Sequence, residues 1–462
     1  MSLSIAIIGG GYAGMAAAME LASRGVRVSV FEAGPVLGGR ARRITHRGVD
    51  LDNGAHILLG AYHETLRLMQ LAGAPKRALL RLPLRLIVKE RMTLRAAPLP
   101  APLHLLAGLM SATGLRLSER FAAVRFMNAL RRAQFRLPAD TTVAAMLAAH
   151  GQHGALAKYL WEPLCIAALN TPPAKASARI FLNVLRDGLA RGTQDSQLML
   201  PRIDLSRLFP DRAADYVRGH RGAIELLSPV TRIEVNSSQR PAQRFTLLLK
   251  DRREVVGGVI CAAGPREALR LLSTLHQGAP ADSPLQPAPL PQTPIDAMAH
   301  AIALIEQFTY QPICTVYLQY ATAVALPDPM LGLADGLVQW LFDRQALQGQ
   351  QGVLAAVMSA AGAEQALSND TIGVLVAEEI AHRFPAFGLP LWSKVVMEKF
   401  ATFSCTPNLK RPAQKTPLER FYLAGDYTAG DYPATLEAAV QSGVKCAQLL
   451  MADVLAVEPP IK

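Results

Sequence analysis

The chain opens with a short apolar run, Ser4 to Ile8, that ends in glycines. A stretch rich in Ala, Met and Leu follows from Met15 to Arg24, and a second apolar run spans Val26 to Phe31. The two short runs have strand length and turn residues at their ends, and the stretch between them predicts a helix. Gly9-Gly10-Gly11-Tyr12-Ala13-Gly14 supplies a tight turn before that helix, and Gly25 stops it. Strand, glycine-rich turn, helix and strand make a βαβ unit whose strands run parallel. Further on, residues 139–200 pattern as helix with a break at Thr171-Pro172-Pro173. Residues 222–265 turn to shorter strand-like runs, including Phe245–Leu249 and Val255–Cys261. Residues 279–294 are rich in Pro and Ala and read as a loop, and Leu318–Met358 is mixed. Arg420 to Ala424 predicts a final strand entering Gly425-Asp426, and a closing helix runs from Pro433 to about Leu450. The chain has no internal repeat.

Composition narrows the class. A chain of 462 residues, half of them hydrophobic and 18% charged, is neither disordered nor collagenous nor a coiled coil. It is long enough to bury its core without disulfides or a structural metal. No metal site is expected. The five cysteines (Cys165, Cys261, Cys314, Cys405 and Cys446) are scattered and include no CxxC pair, which fits free thiols in a reducing compartment.

The net charge of +12 is not spread evenly. Residues 76–136 hold 13 Lys/Arg and 2 Asp/Glu, a net of +11, so the rest of the chain carries about +1. Within that region, residues 96–115 contain no charged side chain. The prolines at 98, 100 and 102 argue against a continuous spanning helix. An apolar segment flanked by cations suits an anionic membrane surface; a buried helix and a solvated basic face are the plainer readings. With no zinc-finger spacing and no aromatic RNA motif, nucleic acid is not an expected partner.

The N-terminal unit carries candidate chemistry. Gly9, Gly11 and Gly14 match G-x-G-x-x-G after a strand and before a helix, with Glu32 at the end of the next strand. That context is what dinucleotide binding requires: a tight turn, close backbone approach to pyrophosphate, close helix packing, and a carboxylate for ribose hydroxyls. Three further features select FAD over NAD. Gly38, Gly39 and Arg40 offer a second close approach with a cation. Asp52-Asn53-Gly54-Ala55-His56 forms a polar turn suited to the far end of the cofactor. Gly425 and Asp426 end a strand near the C-terminus, where a carboxylate suits a ribityl hydroxyl.

With those motifs in order along the chain, the sequence resembles the amine oxidase, carotenoid desaturase and protoporphyrinogen oxidase superfamily of flavoproteins. The blocks LDNGAHILLGAYHETLRLM (51–69), WEPLCIAALNTP (161–172), LMLPRIDLSRLFPDRAADYV (198–217) and LAGDYTAGDYPATLEAAVQSG (423–443) are similar to the squalene-associated desaturase-like family, which contains the hydroxysqualene dehydroxylases. The resemblance implies an α/β fold: a Rossmann-like FAD-binding domain with an inserted mixed α+β substrate domain. The FAD-binding part would comprise 1–75, 215–285 and 417–462, and the substrate part 76–214 and 286–416. It adds Gly54, Val230, Pro433, Ala434 and Thr435 to the expected cofactor contacts. It also implies an isoprenoid lipid substrate, reduction of hydroxysqualene to squalene with loss of water, and an electron donor outside the chain. An oxidative polyene desaturase is the rival activity, and a non-catalytic prenyl-lipid-binding protein is the alternative of another class. The expected location is cytoplasmic, peripheral to the inner face of the cell membrane.

Loss of water from an alcohol needs a proton donor. His56, whose ordinary pKa is about 6.5, is the expected donor, with Asp52 holding its ring or acting as the acid itself. Bracing of the loop is the plainer reading of both residues. Glu162 and Glu437 come next.

Overall fold

The computed structural model describes residues 4–236, 241–278, 294–360, 362 and 366–455. The expected loop at 279–294 therefore falls, but for its last residue, outside the described residues. Five parallel strands form one sheet in the order Ala223–Glu225, Arg27–Phe31, Ser4–Ile8, Gly258–Cys261, Phe421–Leu423. The first helix, Tyr12–Ala22, begins directly at the glycine turn, three residues before the patterning suggested. All eleven of its residues are buried, so it carries no polar face to mark its start.

The terminal helix Leu436–Leu455 packs along this buried helix. Gly443 permits the approach: a Cβ there would lie 2.1 Å from the carbonyl oxygen of Ala13. The Gly425-Asp426 turn thereby comes to the same edge of the five-stranded sheet as the N-terminal glycine turn, one strand away.

A second sheet has seven strands in the order Trp392–Phe403, Tyr310–Gln319, Val353–Ser359, Trp340–Asp343, Met330–Gly332, Arg85–Val88, Met92–Arg95. Strand residues alternate between faces. Val316 and Leu318 meet Ile372, Val376 and Ile380 of the covering helix Asn369–Arg383, while Tyr317 between them faces the larger core.

Helical segments from Leu103 to Ala190 build a wall over that larger core. The wall includes two π-helical stretches, Ala157–Trp161 and Leu185–Ala190. The helix break falls at Thr171-Pro172-Pro173 as expected. There Asn170, at φ 43°, donates to Thr402 Oγ1 at 2.9 Å and accepts from Ala360 N at 2.7 Å, which ties the wall to the seven-stranded sheet. Leu198–Pro201, expected as the end of the helical stretch, is instead a strand paired with Leu58–Leu59 and Leu79–Leu82. All four of its residues are buried, so its apolar run lacks the alternation that marks a half-exposed strand.

Residues 96–115 form neither a span nor a wholly buried helix. Only Leu103–Met110 is α-helical, and its underside is held against the strand Met92–Arg95, where a Cβ on Gly108 would sit 2.4 Å from Arg95 O. Leu99, Leu103 and Leu106 remain exposed. Among the described residues, no helix is long and apolar enough to cross a membrane.

Candidate active site

The glycine turn needs its glycines for two different reasons. Gly9 has φ +105°, and a Cβ on Gly14 would lie 1.9 Å from Gly9 O, so any side chain there would drive helix from strand. Gly11 is free of this constraint: its nearest foreign atom would be Gly39 Cα at 3.8 Å. Gly11 bridges to Gly38, and Gly38 N donates to Gly10 O at 2.9 Å. Two glycine-rich backbones thus run side by side with no side chain between them. The N-terminus of the helix Tyr12–Ala22 opens onto this cradle, with no acidic residue in its first turn, which suits a pyrophosphate.

Glu32 stands at the tip of its strand. Its carboxylate accepts from Gly10 N and Gly34 N, each at 2.7 Å. A carboxylate has about four acceptor positions, which leaves two for ribose hydroxyls. Val230 is buried in the segment beside it, where Ser228 N donates to Glu32 O at 2.9 Å.

Across the cradle, Arg40 pairs with Asp426 and donates to Ala401 O at 2.7 Å. Burial alone would lower the Arg40 pKa, but Asp426 more than offsets it and the pKa rises above its ordinary value. The cation expected near the pyrophosphate is therefore also the partner of the carboxylate expected on the ribityl chain. Gly425 N donates to Ser442 Oγ at 2.8 Å, and Ala434 N donates to Asp426 O at 3.2 Å. Buried Pro433 and half-buried Thr435 complete this turn, with Thr435 Oγ1 accepting from Ala438 N at 3.1 Å at the start of the terminal helix. A Cβ on Gly54 would make ordinary contact with His56 at 3.7 Å and with Thr315 Oγ1 at 3.9 Å. That buried hydroxyl has no hydrogen-bond partner among the described residues. A side-chain-free cradle, carboxylates at both ends and an unpaired hydroxyl beside Gly54 fit FAD.

The catalytic expectation for Asp52 needs correction. Its carboxylate accepts from Arg344 Nη1 at 2.9 Å and from Leu205 N at 2.8 Å, and both ionic side chains are 4% exposed. Among the described residues Asp52 makes no hydrogen bond to the His56 ring; its bonds to Arg344 and Leu205 brace the loop. His56 Nδ1 instead lies 2.9 Å from Gly54 O, a carbonyl that can only accept, so Nδ1 carries the hydrogen. Burial lowers the His56 pKa below its ordinary value, outweighing the hydrogen bond to Gly54 and the Asp52 charge, which raise it. At neutral pH the ring is uncharged and its Nε2 is an acceptor, which does not suit a general acid.

Beyond His56 the chain enters an apolar pocket with a cavity volume of about 260 Å³. Its mainly apolar lining suits a hydrocarbon chain. Ile57, Trp161, Leu164 and Trp340 contribute to its wall, Leu105 and Leu109 belong to the segment 96–115, and Tyr432, Thr435 and Glu437 stand at the cofactor turn. Glu162 is exposed and absent from this lining. Glu437 is present but engaged, since it accepts from Glu64 N, Thr65 N, Thr65 Oγ1 and Gln441 Nε2 at 2.7–3.0 Å and so caps the helix His63–Leu71. Two pocket residues were not foreseen as polar site groups: Asp187 and Tyr432, whose hydroxyl bonds the Asp187 carboxylate. Cys405 is fully buried, and burial pushes its thiol up to about 12.

This geometry agrees with what the chain is similar to. The model of the family "Flavin containing amine oxidoreductase" matches residues 12–451. The chain belongs to that family. It is a flavin-dependent oxidoreductase. It is 26% identical to a hydroxysqualene dehydroxylase of Zymomonas mobilis over 96% of this chain and 98% of that protein. A zeta-carotene desaturase of Zea mays is 31% identical, but over only 26% of this chain and 22% of that protein. Among solved structures, the cyclohexylamine oxidase of Brevibacterium oxydans superposes with a TM-score of 0.65 at 17% identity, covering 98% of this chain and all of that one. The family accounts for the α/β fold and the FAD site.

Proposed function

We propose that the protein reduces hydroxysqualene to squalene with loss of water. The observation that carries this reading is the joining of an intact FAD cradle to a mainly apolar pocket, in a chain aligned over 96% of its length with a hydroxysqualene dehydroxylase. Reduced FAD, when bound, supplies a hydride. The carbon–oxygen bond of the alcohol breaks, the oxygen leaves as water after taking up a proton, and the carbon gains hydride. Glu32, Asp426 and the glycine cradle would hold the cofactor. Ile57, Trp161, Leu164 and Trp340 bind the hydrocarbon by removing it from water, at roughly 25 cal/mol per Å² of apolar surface. The electron donor that reduces the flavin is a separate partner.

The helices that wall the pocket also carry its outer apolar face, with Leu103, Leu106, Leu117 and Phe121 exposed among Arg116, Arg120 and Arg125. This supports docking on an anionic bilayer, placing the pocket mouth where a lipid substrate resides. A cytoplasmic protein on the inner face of the cell membrane fits that arrangement. The functional test is anaerobic incubation of the reduced holoenzyme with hydroxysqualene and analysis of the product by mass. Squalene formation supports the reading. No conversion, with desaturation of a polyene by the oxidised enzyme, decides for the desaturase.

A further inference from the structure

Most polar groups lining the pocket have other duties or stand at its mouth. Glu437 caps a helix, Arg85 pairs with Asp328 at 2.9 Å, Thr435 caps the terminal helix, and Asn128 is exposed. Asp187 and Tyr432 differ. Asp187 is 6% exposed and lies on the π-helical stretch Leu185–Ala190, an irregularity that turns a side chain out of helical register and recurs at functional sites. Its carboxylate receives Arg186 Nε at 2.9 Å and Nη2 at 2.5 Å, has Arg191 at 3.6 Å, and accepts from the Tyr432 hydroxyl. Tyr432 comes from the turn that carries Asp426, and Asn183 Nδ2 fixes that turn to the wall by donating to Asp431 O at 3.1 Å. The pair therefore stands where the hydrocarbon wall meets the cofactor turn.

The charge state of the pair follows from its surroundings. Burial works to raise the Asp187 pKa, but hydrogen bonds from Arg186 and Tyr432 outweigh it and the pKa falls below the ordinary carboxylate value. Burial, then Asp187, raises that of Tyr432. Asp187 is thus an anion and Tyr432 a neutral phenol whose hydrogen points at it. Arg186 and Tyr432 take three of the carboxylate's roughly four acceptor positions, which leaves one to accept from a third group.

We infer that Asp187 and Tyr432 form the hydroxyl-binding site of the pocket, taking the O–H of a long-chain alcohol and holding its carbinol carbon at the cofactor end. The inference rests on the dehydroxylase reading and adds to it the residues that tell the alcohol from the hydrocarbon. A buried hydroxyl without a partner is costly, and the remainder of the inner wall is mainly apolar. The hydrocarbon product has no donor to offer the pair, so it is held more weakly than the substrate and leaves.

The test compares binding of hydroxysqualene and squalene, both in detergent, to oxidised holoenzyme by perturbation of the flavin absorbance. Wild type, Asp187→Asn, Tyr432→Phe and Tyr62→Phe, the other phenol of the pocket, are measured. A hydrogen bond to a charged group corresponds to about ten- to hundred-fold in affinity. The expected result is a loss of that size for the alcohol in Asp187→Asn, a smaller one in Tyr432→Phe, and unchanged affinity for squalene in both. Equal loss for both ligands, or no loss in either variant while Tyr62→Phe loses alcohol selectivity, overturns the assignment. Wild-type enzyme that converts hydroxysqualene while all variants keep its affinity defeats the assignment alone. Wild-type enzyme that neither prefers nor converts the alcohol defeats the dehydroxylase reading, and the assignment with it. Tyr432→Phe keeps the ring that packs in the turn, so it remains informative if Asp187→Asn fails to fold.

Discussion

Replacing Asp52 by Asn separates bracing from catalysis. The Asp52–Arg344 pair is buried on both sides and joined at 2.9 Å, while the Arg344 guanidinium also meets Gln350 Oε1 at 2.9 Å and Gln348 Oε1 at 2.5 Å. Removing one charge of a buried pair costs about 3–5 kcal/mol, because the other charge is left unpaired out of water. The two glutamine contacts soften this, so the lower end, about 3 kcal/mol, is expected. A chain of 462 residues unfolds with an entropy of roughly 1 kcal/mol per degree, at about 2.1 cal/mol/K per residue, so the melting temperature should fall by about 3 °C. The double variant Asp52→Asn/Arg344→Met removes both charges and should recover most of the loss. Turnover of the folded Asp52→Asn enzyme should stay within about tenfold of wild type, well short of the 10²–10⁴-fold expected for loss of a general acid. Thermal melting with FAD bound, alongside squalene formation, reads both quantities. An unchanged melting temperature with a hundred-fold loss of turnover would refute the bracing role.

The other expectations are shorter. Glu32→Ala and Asp426→Ala each lower FAD occupancy after purification, since each removes acceptors worth roughly 0.5–3 kcal/mol per bond; stoichiometric flavin in both variants contradicts the site. His56→Ala keeps turnover within about tenfold at neutral pH, because the buried ring is uncharged there; a loss above a hundred-fold with a shifted pH profile would return the proton-donor role to it. Burial depresses the pKa values of both His56 and His104, so the unfolded chain takes up protons first and folding stability falls as pH drops below about 6.5; equal denaturant midpoints at pH 7.5 and 5.5 would contradict this. Sedimentation with anionic vesicles should weaken as salt rises and leave an apolar remainder, whereas equal binding to neutral vesicles at every salt concentration would remove the electrostatic part.

The cofactor site was legible in sequence because each of its demands restricts residue type locally. Only glycine fits Gly9 and Gly14, and Glu32 must end a strand at fixed spacing from them. The segment 423–443 could be joined to the N-terminus through its Gly-Asp turn, but the joint itself depends on Gly443 against Ala13, a contact between distant helices that no local pattern announces. Asp52 misled for a similar reason. A carboxylate beside a histidine suggests chemistry, yet its partner is Arg344, nearly three hundred residues away. Asp187 stayed hidden among Arg186 and Arg191, where it reads as a surface ion pair; a π-helical turn buries it. Tyr422 and Tyr427 close by are buried packing residues, and no local pattern sets Tyr432 apart from them.

Single-turnover reduction tests the central claim most directly. Holoenzyme is reduced anaerobically, mixed with one equivalent of hydroxysqualene, and followed by flavin absorbance while squalene is quantified by mass. The account predicts that flavin reoxidation and squalene appear together in equal amounts, with hydroxysqualene lost to match. Flavin that stays reduced while hydroxysqualene remains intact would contradict it.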